Sequence, residues 1–255
     1  MKKLVLPLAL LPVLISGVAF GQAANPGGNP PPPPPEATEI WSPVPPRVEP
    51  AAVIGQPPSD AIVLFNGRDL SNWESVNGGP AEWGVENGEM VDRPKAGHIE
   101  TKQKFGDCQL HIEWMVPVLP PDRKGQDRGN SGVFLQGLYE VQVLDTYDNP
   151  TYVNGMAGAI YKQSAPLVNA QKPAPNWQAY DIVYYAPRFY KDGTLAEPAR
   201  ITVFLNGILV QSNFAIKGPT DYRMLPAYKA HGDGPIMLQA HNNAVHYRNI
   251  WVRKL

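Results

Sequence analysis

The sequence is poor in cysteine, in surplus charge of either sign and in long apolar runs, and each shortage excludes a class of protein. Cys108 is the single cysteine among 255 residues, so the chain forms neither an internal disulfide nor a cysteine-ligated zinc site. Lys and Arg number 22 against 23 Asp and Glu, which leaves a net charge of −1. A chain without a basic surplus is not expected to bind nucleic acid. After residue 20, no apolar run is long enough to span a bilayer.

Residues 1–24 carry the three parts of a secretory signal peptide. Lys2 and Lys3 supply the positive start, an apolar run follows over residues 4–20, and small residues come next. A membrane anchor is the alternative, but the run is short and two prolines interrupt it. We therefore expect cleavage of this segment, no membrane span afterwards, and export to the periplasm or secretion.

Proline is abundant instead, and its distribution divides the chain. Of the 29 prolines, 13 lie within residues 25–58, including an unbroken run at residues 30–35. Proline fixes its own φ and lacks an N–H, so this segment favours an extended, solvated conformation. We interpret it as a Pro-rich linker, with a ligand for a proline-recognising module as the weaker alternative. The folded domain is then expected to occupy residues 59–255.

The predicted domain has the pattern of short β-strands separated by turns, with almost no helical periodicity. Residues 109–116 alternate between apolar and polar side chains, the pattern of a strand with one buried face. Asn87-Gly88 and Asn206-Gly207 each separate two β-type runs, which is the signal of a type I′ hairpin. Many short strands joined by such turns predict an all-β sandwich of two antiparallel sheets, or a barrel. Polar alternates of several strands would then line a groove on one sheet.

Several motifs in this domain resemble those of the 3-keto-disaccharide hydrolase domain family, in the same order. They are LFNGRDLSNW at 64–73, WGVENG at 83–88, GNSGVFL at 129–135, YEVQVLD at 139–145 and RNIWV at 248–252. The resemblance covers nearly all of the domain and implies a concanavalin A-like jelly roll, a secreted or periplasmic location, and a carbohydrate substrate oxidised at carbon 3. The segment LQAHN at 238–242 departs from the family, because Ala240 stands where many members carry an acidic residue.

The implied substrate sets the chemistry that the site must perform. A ketone at carbon 3 acidifies the proton on carbon 2, so a base can remove this proton and the glycosidic oxygen can leave by elimination. Water then adds to the enone, and the net result is hydrolysis of a 3-keto-glycoside. This route needs a base, a donor to the enolate oxygen and an acid for the leaving group. It does not need the opposed carboxylate pair of an ordinary glycosidase.

Glu140, His241 and Arg128 are the candidate catalytic residues. Glu140 alternates with apolar residues along its strand, so it is expected to face away from the core as acid or base; a solvated strand residue is the alternative. His241 lies at a turn, and its ring exchanges protons near neutral pH. Arg128 precedes a strand and is a candidate to stabilise the enolate. Glu113, on another strand, is a second candidate for the acid or base.

Amides and aromatics near these positions are the candidate sugar-binding residues. Amides hydrogen-bond to sugar hydroxyls, and flat rings stack on the apolar face of a pyranose. The six candidates are Asn130, Gln136, Gln142, Tyr161, Trp177 and Gln239. Together with the catalytic candidates, they define the predicted site.

The cofactor stays open, with a divalent metal such as calcium as the one candidate. Asp145, Asp148 and Asn149 lie close together and carry oxygen ligands, but they lack a regular calcium-loop spacing and equally suit a turn. His241 or His246 could also bind a metal through a neutral ring nitrogen.

Two other functions fit the same fold. A non-catalytic carbohydrate-binding module would use the aromatics and amides, but Glu140, His241 and Arg128 would be superfluous in it. A retaining glucanase is the weaker alternative, because no strand carries the carboxylate spacing that places a nucleophile beside an acid. The sequence therefore favours an exported hydrolase or lyase that cleaves 3-keto-glycosides.

Overall fold

The computed structural model describes residues 32–255, and the predicted signal peptide over residues 1–24 lies outside this range. The chain divides into two units, residues 1–46 and residues 47–255. The described part of the first unit contains a 3₁₀ turn at Pro35–Thr38 and no strand. Across residues 32–255, no helix is both long and apolar enough to cross a membrane.

The second unit is built almost entirely from short β-strands. They are rich in β-branched and aromatic residues, and turn residues such as Asn-Gly separate neighbouring strands. The strands are β1 (Ile62–Phe65), β2 (Trp73–Ser75), β3 (Gly84–Glu86), β4 (Glu89–Val91), β5 (Ile99–Phe105), β6 (Cys108–Met115), β7 (Ser131–Leu135), β8 (Tyr139–Val143), β9 (Gln178–Tyr185), β10 (Arg188–Phe189), β11 (Leu195–Glu197), β12 (Arg200–Leu205), β13 (Ile208–Ala215), β14 (Gly234–Leu238) and β15 (His246–Lys254). Two 3₁₀ turns lie at Gly125–Asp127 and Val153–Gly155.

Two antiparallel sheets contain most of these strands. The larger sheet follows the order β13-β12-β9-β6-β15-β4-β3, with β1 also paired to β15, and the smaller sheet follows β2-β5-β14-β7-β8. β10 and β11 form a separate two-stranded ribbon. Apolar side chains from both sheets form one buried cluster between them, as expected for stacked sheets. The predicted concanavalin A-like jelly-roll sandwich is confirmed.

The hairpin turns have the backbone that their sequences predict. Asn87-Gly88 has φ values of 52° and 81°, and Asn206-Gly207 has values of 54° and 78°. Positive φ at both central residues is the type I′ geometry, whose twist matches that of the flanking strands. Gln136-Gly137 likewise has positive φ at both positions, 54° and 69°, in the turn between β7 and β8. This turn fixes the register of the strand that carries Glu140.

The core lies between the two sheets, and tyrosine hydroxyls cross it to reach the smaller sheet. Trp73, Trp83 and Trp114 belong to this core, whereas Trp251 is buried outside it, stacked on His111. Tyr180 donates to the carbonyl of Gln142 and Tyr247 donates to Oγ of Ser131, both at 2.6 Å. Because a buried hydroxyl needs a partner, these bonds fix how the larger sheet meets β7 and β8.

The compact unit begins before residue 59, the predicted start of the domain. Residues 47–58 pack on the larger sheet, where the carbonyl of Gly55 accepts hydrogen bonds from Asn249 Nδ2 at 2.8 Å and Trp251 Nε1 at 2.9 Å. Gly55 has a φ of 86°, and a Cβ at this position would lie 3.5 Å from the ring of His111. The proline pattern of this stretch does not reveal these contacts.

We expect a chain that starts at residue 59 to fold, but to melt roughly 5 °C below a chain that starts at residue 47. Losing two hydrogen bonds costs about 2 kcal/mol, and each kcal/mol is about 2–4 °C for a domain of this size. Thermal melts of the two truncated chains by circular dichroism measure the difference. Equal melting temperatures would make residues 47–58 linker throughout, and aggregation of the shorter chain would make them an essential part of the fold.

Candidate active site

β7 and β8 place the candidate acid on the outer face of the smaller sheet. The strands pair antiparallel, with Phe134 opposite Glu140 and Gly132 opposite Gln142. Side chains alternate along a strand, and the valines of β8 enter the core. Glu140 and Gln142 therefore leave the sheet on the face away from the core, as the alternation predicts.

Loops cover the free edge of β8 and bound a cavity of about 430 Å³ on this face. The N–H of Glu140 donates to Oγ1 of Thr220, and the N–H of Gln142 donates to the carbonyl of Ala159, both at 3.0 Å. The volume falls in the range of small-molecule sites. The lining is rich in amides and hydroxyls and comprises Gln126, Asn130, Phe134, Glu140, Gln142, Tyr152, Tyr161, Thr220, Tyr222, Gln239 and His241.

Glu140 supplies a buried carboxylic acid to this cavity, with an exposed fraction of 3%. Its carboxyl lies close to the α-carbon of Gly132, where an added Cβ would be 2.5 Å from Oε1. Burial raises the pKa of Glu140 to about 8, because desolvation disfavours the ionised form. At neutral pH the acid therefore carries its proton. The residue is not the solvated strand position that was the alternative.

Amide side chains form a line of contacts beside Glu140. Oε1 of Gln142 lies 2.9 Å from Oε1 of Glu140, and Nε2 of Gln142 donates to Oε1 of Gln126 at 3.1 Å. Gln126 is held in turn by two hydrogen bonds from its Nε2 to oxygens of residues 151–155, both 2.9 Å long. Asn130 donates to the carbonyl of Gln126 at 2.8 Å. The orientation of each amide therefore depends on its neighbour.

Tyrosines form another wall of the cavity. The hydroxyls of Tyr152 and Tyr161 share a hydrogen bond of 2.7 Å, and Tyr222 lies nearby. Nζ of Lys162 is 4.1 Å from the ring centroid of Tyr152 and 5.3 Å from that of Tyr222, a cation–π arrangement. Burial raises the pKa of Tyr152 and of Tyr161, so both hydroxyls keep their protons. The wall offers flat rings and hydrogen-bond donors to a sugar.

His241 reaches the cavity from the loop after β14, and two side chains hold this loop. Its N–H donates to Oδ2 of Asp92 at 3.3 Å, and the N–H of Ala240 donates to Nδ1 of His98 at 3.1 Å. Asp92 is buried, its Oδ1 has no hydrogen-bond partner, and burial raises its pKa to about 7. Burial lowers the pKa of His98, which favours the neutral ring that accepts this bond. Asp92 thus supplies a carboxyl beside His241 although Ala240 cannot.

The structure brings six of the nine predicted site residues together in the cavity. They are Glu140, His241, Asn130, Gln142, Tyr161 and Gln239. The other three do not line it, and each has a structural partner elsewhere. Arg128 pairs with Asp145 at 2.7 Å, and Gln136 accepts a hydrogen bond from the buried hydroxyl of Tyr184 at 2.7 Å.

Trp177, the third, packs its ring against the guanidinium of Arg248, 4.0 Å from the ring centroid. Arg248 belongs to β15, so the Trp177 ring packs against the larger sheet and not against the smaller sheet that carries Glu140. The expected sugar-binding role of Trp177 and Gln136 and the expected catalytic role of Arg128 therefore have no support from position. Each of the three side chains already interacts with another residue: Arg128 with Asp145, Gln136 with Tyr184 and Trp177 with Arg248.

Glu113, the second acid candidate, belongs to an ion cluster on the larger sheet. It accepts from Nε of Arg248 at 2.6 Å and lies 3.7 Å from Nε2 of His111, whose Nδ1 is 2.6 Å from Asp181. Burial opposes both charges, but these partners lower the pKa of Glu113 to about 2 and raise that of His111 to about 9. His246 pairs with a glutamate of β4 at 2.7 Å. These groups stabilise one another and none lines the cavity.

The predicted cation ligands also have protein partners. Oδ2 of Asp145 accepts from Arg128, and the side chain of Asn149 makes two hydrogen bonds to the backbone of Gly125, at 2.7 and 2.9 Å. Asp148 sits in a turn with a φ of 49°. Among residues 32–255, no group of three His, Cys, Asp or Glu side chains could hold a metal ion. Calcium binding stays an untested prediction.

Sequence reasoning missed five residues of the lining: Gln126, Phe134, Tyr152, Thr220 and Tyr222. Four of them lie in loops, whose path over the sheet has no local sequence pattern. Phe134 was within reach of prediction. It alternates with two buried apolar residues of β7 that enter the core, so it shares the outer face with Glu140.

A jelly-roll sandwich with a small-molecule cavity lined by a buried acid, amides and tyrosines has the features of a carbohydrate-acting protein. The chain belongs to the 3-keto-α-glucoside-1,2-lyase-like domain family, which matches residues 60–253. The resemblance seen in the sequence motifs is thereby confirmed. A search of curated proteins found no significant match.

Solved structures of similar proteins come from Parabacteroides distasonis ATCC 8503. One, a candidate glycosyl hydrolase, is 52% identical to this chain; the match covers 87% of this chain and 97% of the other, with a TM-score of 0.82. A second candidate glycosyl hydrolase is 21% identical, with 77% and 94% covered and a TM-score of 0.57. The first similarity is high enough to indicate a common family, whereas the second shows a common fold only.

Proposed function

We propose that this domain cleaves 3-keto-glycosides by removing the proton on carbon 2, eliminating the glycosidic oxygen and adding water to the enone. The family supports a sugar substrate, and the relative of 52% identity, described as a candidate glycosyl hydrolase, supports cleavage of a glycosidic bond. The observation that carries the proposal is the buried acid Glu140, which faces a cavity lined by amides and tyrosines. With a pKa of about 8, it holds a proton at neutral pH and can deliver it.

In this scheme Glu140 protonates the leaving oxygen and His241 acts as the base at carbon 2. A neutral imidazole accepts a proton near pH 7, and His241 lines the same cavity. In the second half, the carboxylate of Glu140 takes a proton from water while the hydroxide adds to carbon 1. The imidazolium then returns a proton to carbon 2, so both groups regain their starting state.

Negative charge that develops on the carbon-3 oxygen needs hydrogen-bond donors. The hydroxyl pair of Tyr152 and Tyr161 is suitable, because burial keeps both protonated; since one donates to the other, the second O–H is free to donate to the enolate oxygen. Arg128, the candidate for this role in the sequence, is paired with Asp145. Tyrosine hydroxyls and amides therefore take its place in the proposal.

We also propose that the reaction takes place after export. Residues 1–24 have the composition of a secretory signal, and the following segment is rich in proline. The substrate would then be a glycoside met in the periplasm or outside the cell. No cofactor enters the scheme, and calcium addition is a simple check on that point.

Incubation with a 3-keto-glucoside in deuterated water tests the proposal. We expect free 3-keto-glucose that carries deuterium at carbon 2, because the imidazolium exchanges its proton with solvent before returning it. Since a ketone exchanges its neighbouring protons unaided, the label is compared with that of 3-keto-glucose incubated without protein. Cleavage without label would replace elimination by direct displacement at carbon 1. Binding without cleavage would make the domain a carbohydrate-binding module.

A further inference from the structure

The side-chain amide of Gln142 lies between two pairs of oxygen atoms. On one side are Oε1 of Glu140 at 2.9 Å and the carbonyl oxygen of Ser131 at 3.1 Å. On the other side are Oε1 of Gln126 at 3.1 Å and Oδ1 of Asn130 at 3.5 Å. An amide has one donor end and one acceptor end, so it can donate to only one side. The end that faces Glu140 therefore depends on whether this carboxyl carries a proton.

When Glu140 is protonated, the amide oxygen of Gln142 faces the carboxyl and accepts a hydrogen bond from it. Nε2 of Gln142 then donates to Gln126. Gln126 is fixed in this direction, because its own Nε2 donates to two oxygens of residues 151–155 at 2.9 Å. In this state the carboxyl O–H of Glu140 and the side-chain N–H groups of Gln142 and Gln126 all have acceptors. The unfavourable contact of this state is that between Oε1 of Gln142 and the carbonyl of Ser131.

When Glu140 loses its proton, the amide of Gln142 gains by turning over. Nε2 then donates to Oε1 of Glu140 and to the carbonyl of Ser131, at 2.9 and 3.1 Å. Its oxygen now lies 3.1 Å from Oε1 of Gln126, whose donor end is already engaged. Each orientation thus removes one oxygen–oxygen contact and creates another. The proton on Glu140 therefore decides which orientation is favoured.

We propose that the Gln142 amide turns over each time Glu140 gives up or regains its proton, and that Gln126 is the positioning residue that favours the protonated orientation. Gln126 and Asn130 both line the cavity. Once the amide has turned, their oxygens are free to accept from sugar hydroxyls just after the acid has delivered its proton. This catalytic meaning rests on the proposed function, whereas the coupling itself needs no substrate.

The titratable groups that share the cavity with Glu140 are three tyrosines, Tyr152, Tyr161 and Tyr222, and one histidine, while the ammonium of Lys162 lies over the tyrosine rings. Tyr152 and Tyr161 face it from the covering loops, and Tyr247 lies behind the smaller sheet, in the core. Burial raises the pKa of Tyr152, Tyr161 and Tyr247, so they stay neutral while Glu140 titrates. No Lys or Arg is among the lining residues of the described cavity. His241 and the Asp92 carboxyl bonded to its backbone, whose pKa burial raises to about 7, are therefore the groups whose charges must be separated from that of Glu140 by experiment.

NMR of the Gln142 side-chain amide in the free protein, from about pH 6 to about pH 10, tests the proposal. We expect its shifts to move with a midpoint of about 8 and the movement to vanish in Glu140→Gln. The buried amide of Gln136, bonded to Tyr184, is a matched control whose shifts should stay constant. The transition should persist in His241→Asn and in Asp92→Asn, because neither side chain contacts the Gln142 amide. A Gln142 amide that does not titrate, or that titrates equally in Glu140→Gln, would overturn the proposal.

Gln126→Met gives a second test with a defined direction. Methionine keeps the side-chain length but offers only a weak acceptor, so the protonated orientation loses the contact that favours it. We expect the midpoint of the Gln142 transition to fall by about one pH unit, the effect of one net hydrogen bond. An unchanged or raised midpoint would refute the role of Gln126. Neither measurement reads turnover, so failure here is distinct from failure to cleave a 3-keto-glycoside.

Discussion

Glu140→Gln is expected to lower the turnover of a 3-keto-glycoside by about 100-fold or more, because glutamine cannot deliver a proton. The amide of the variant can still donate to Oε1 of Gln142, as the protonated acid does, so the cavity keeps its shape. Initial rates at saturating substrate measure the loss, and an unchanged KM separates lost chemistry from lost binding. Near-full activity would transfer the acid role to His241, since Glu113 lies in the ion cluster of the larger sheet.

The same variant should melt above the wild type at about pH 8.5 and close to it at about pH 5. Burial raises the pKa of Glu140 from 4.5 to about 8, so the wild type loses stability as the pH rises between these values, where the unfolded acid ionises and the folded acid still holds its proton. Glutamine has no charge to bury. Val141→Gln is the control on the same strand, because its side chain enters the core and should destabilise the domain at both pH values. A pH-independent difference for Glu140→Gln would mean that Glu140 does not titrate in this window.

Local sequence patterns were sufficient to predict the sandwich and most of its hairpins. Asn87-Gly88 and Asn206-Gly207 act through the backbone conformation of two residues, so a single sequence reveals them. The outward direction of the Glu140 side chain likewise follows from the alternation of side chains along β8. These features depend on residues that are neighbours in the chain.

The cavity could be predicted only in part, because it is closed by residues remote from β8 in the sequence. Thr220 and Tyr222 reach Glu140 across about 80 positions of chain, and no local pattern indicates that approach. Burial of Glu140, and with it the raised pKa, comes from these loops and could not be read from its strand. Arg128 does not line the cavity, also because of a partner that the local sequence does not reveal. Its position beside a glycine before β7 is compatible with a catalytic role. Asp145, which follows β8, instead accepts a hydrogen bond from its guanidinium.

A carboxyl from outside the loop holds the loop that carries His241. Ala240 has no side-chain acid, yet the carboxyl of Asp92 reaches the backbone of His241 from the end of β4. This carboxyl is buried with one oxygen unpartnered, so it favours the protonated form below about pH 7. A protonated Asp92 keeps an acceptor for the N–H of His241 and avoids a buried charge. The anchor of the histidine is thus independent of residue 240.

Gly132→Ala is expected to reduce turnover by about 100-fold while leaving the fold intact. The added methyl would lie 2.5 Å from Oε1 of Glu140 and 2.8 Å from the ring of Phe134. The backbone of Gly132 is not in the left-handed region, so alanine brings no conformational strain there. The end of a flexible side chain gives way first, and the carboxyl is displaced. A displacement of about 1 Å of a catalytic group is enough for a loss of this size.

Gly232→Ala is the matched control for this experiment, since no atom lies within 4 Å of the added methyl and its backbone also lacks a positive φ. Both variants should melt near the wild-type temperature, and only Gly132→Ala should lose turnover. Its Gln142 amide should also lose the titration shared with Glu140, because the carboxyl no longer meets the amide. Full activity in Gly132→Ala would mean that the position of the carboxyl against β7 is not the one used in catalysis. Equal losses in both variants would point to a general effect of alanine in place of glycine rather than to displacement of the acid.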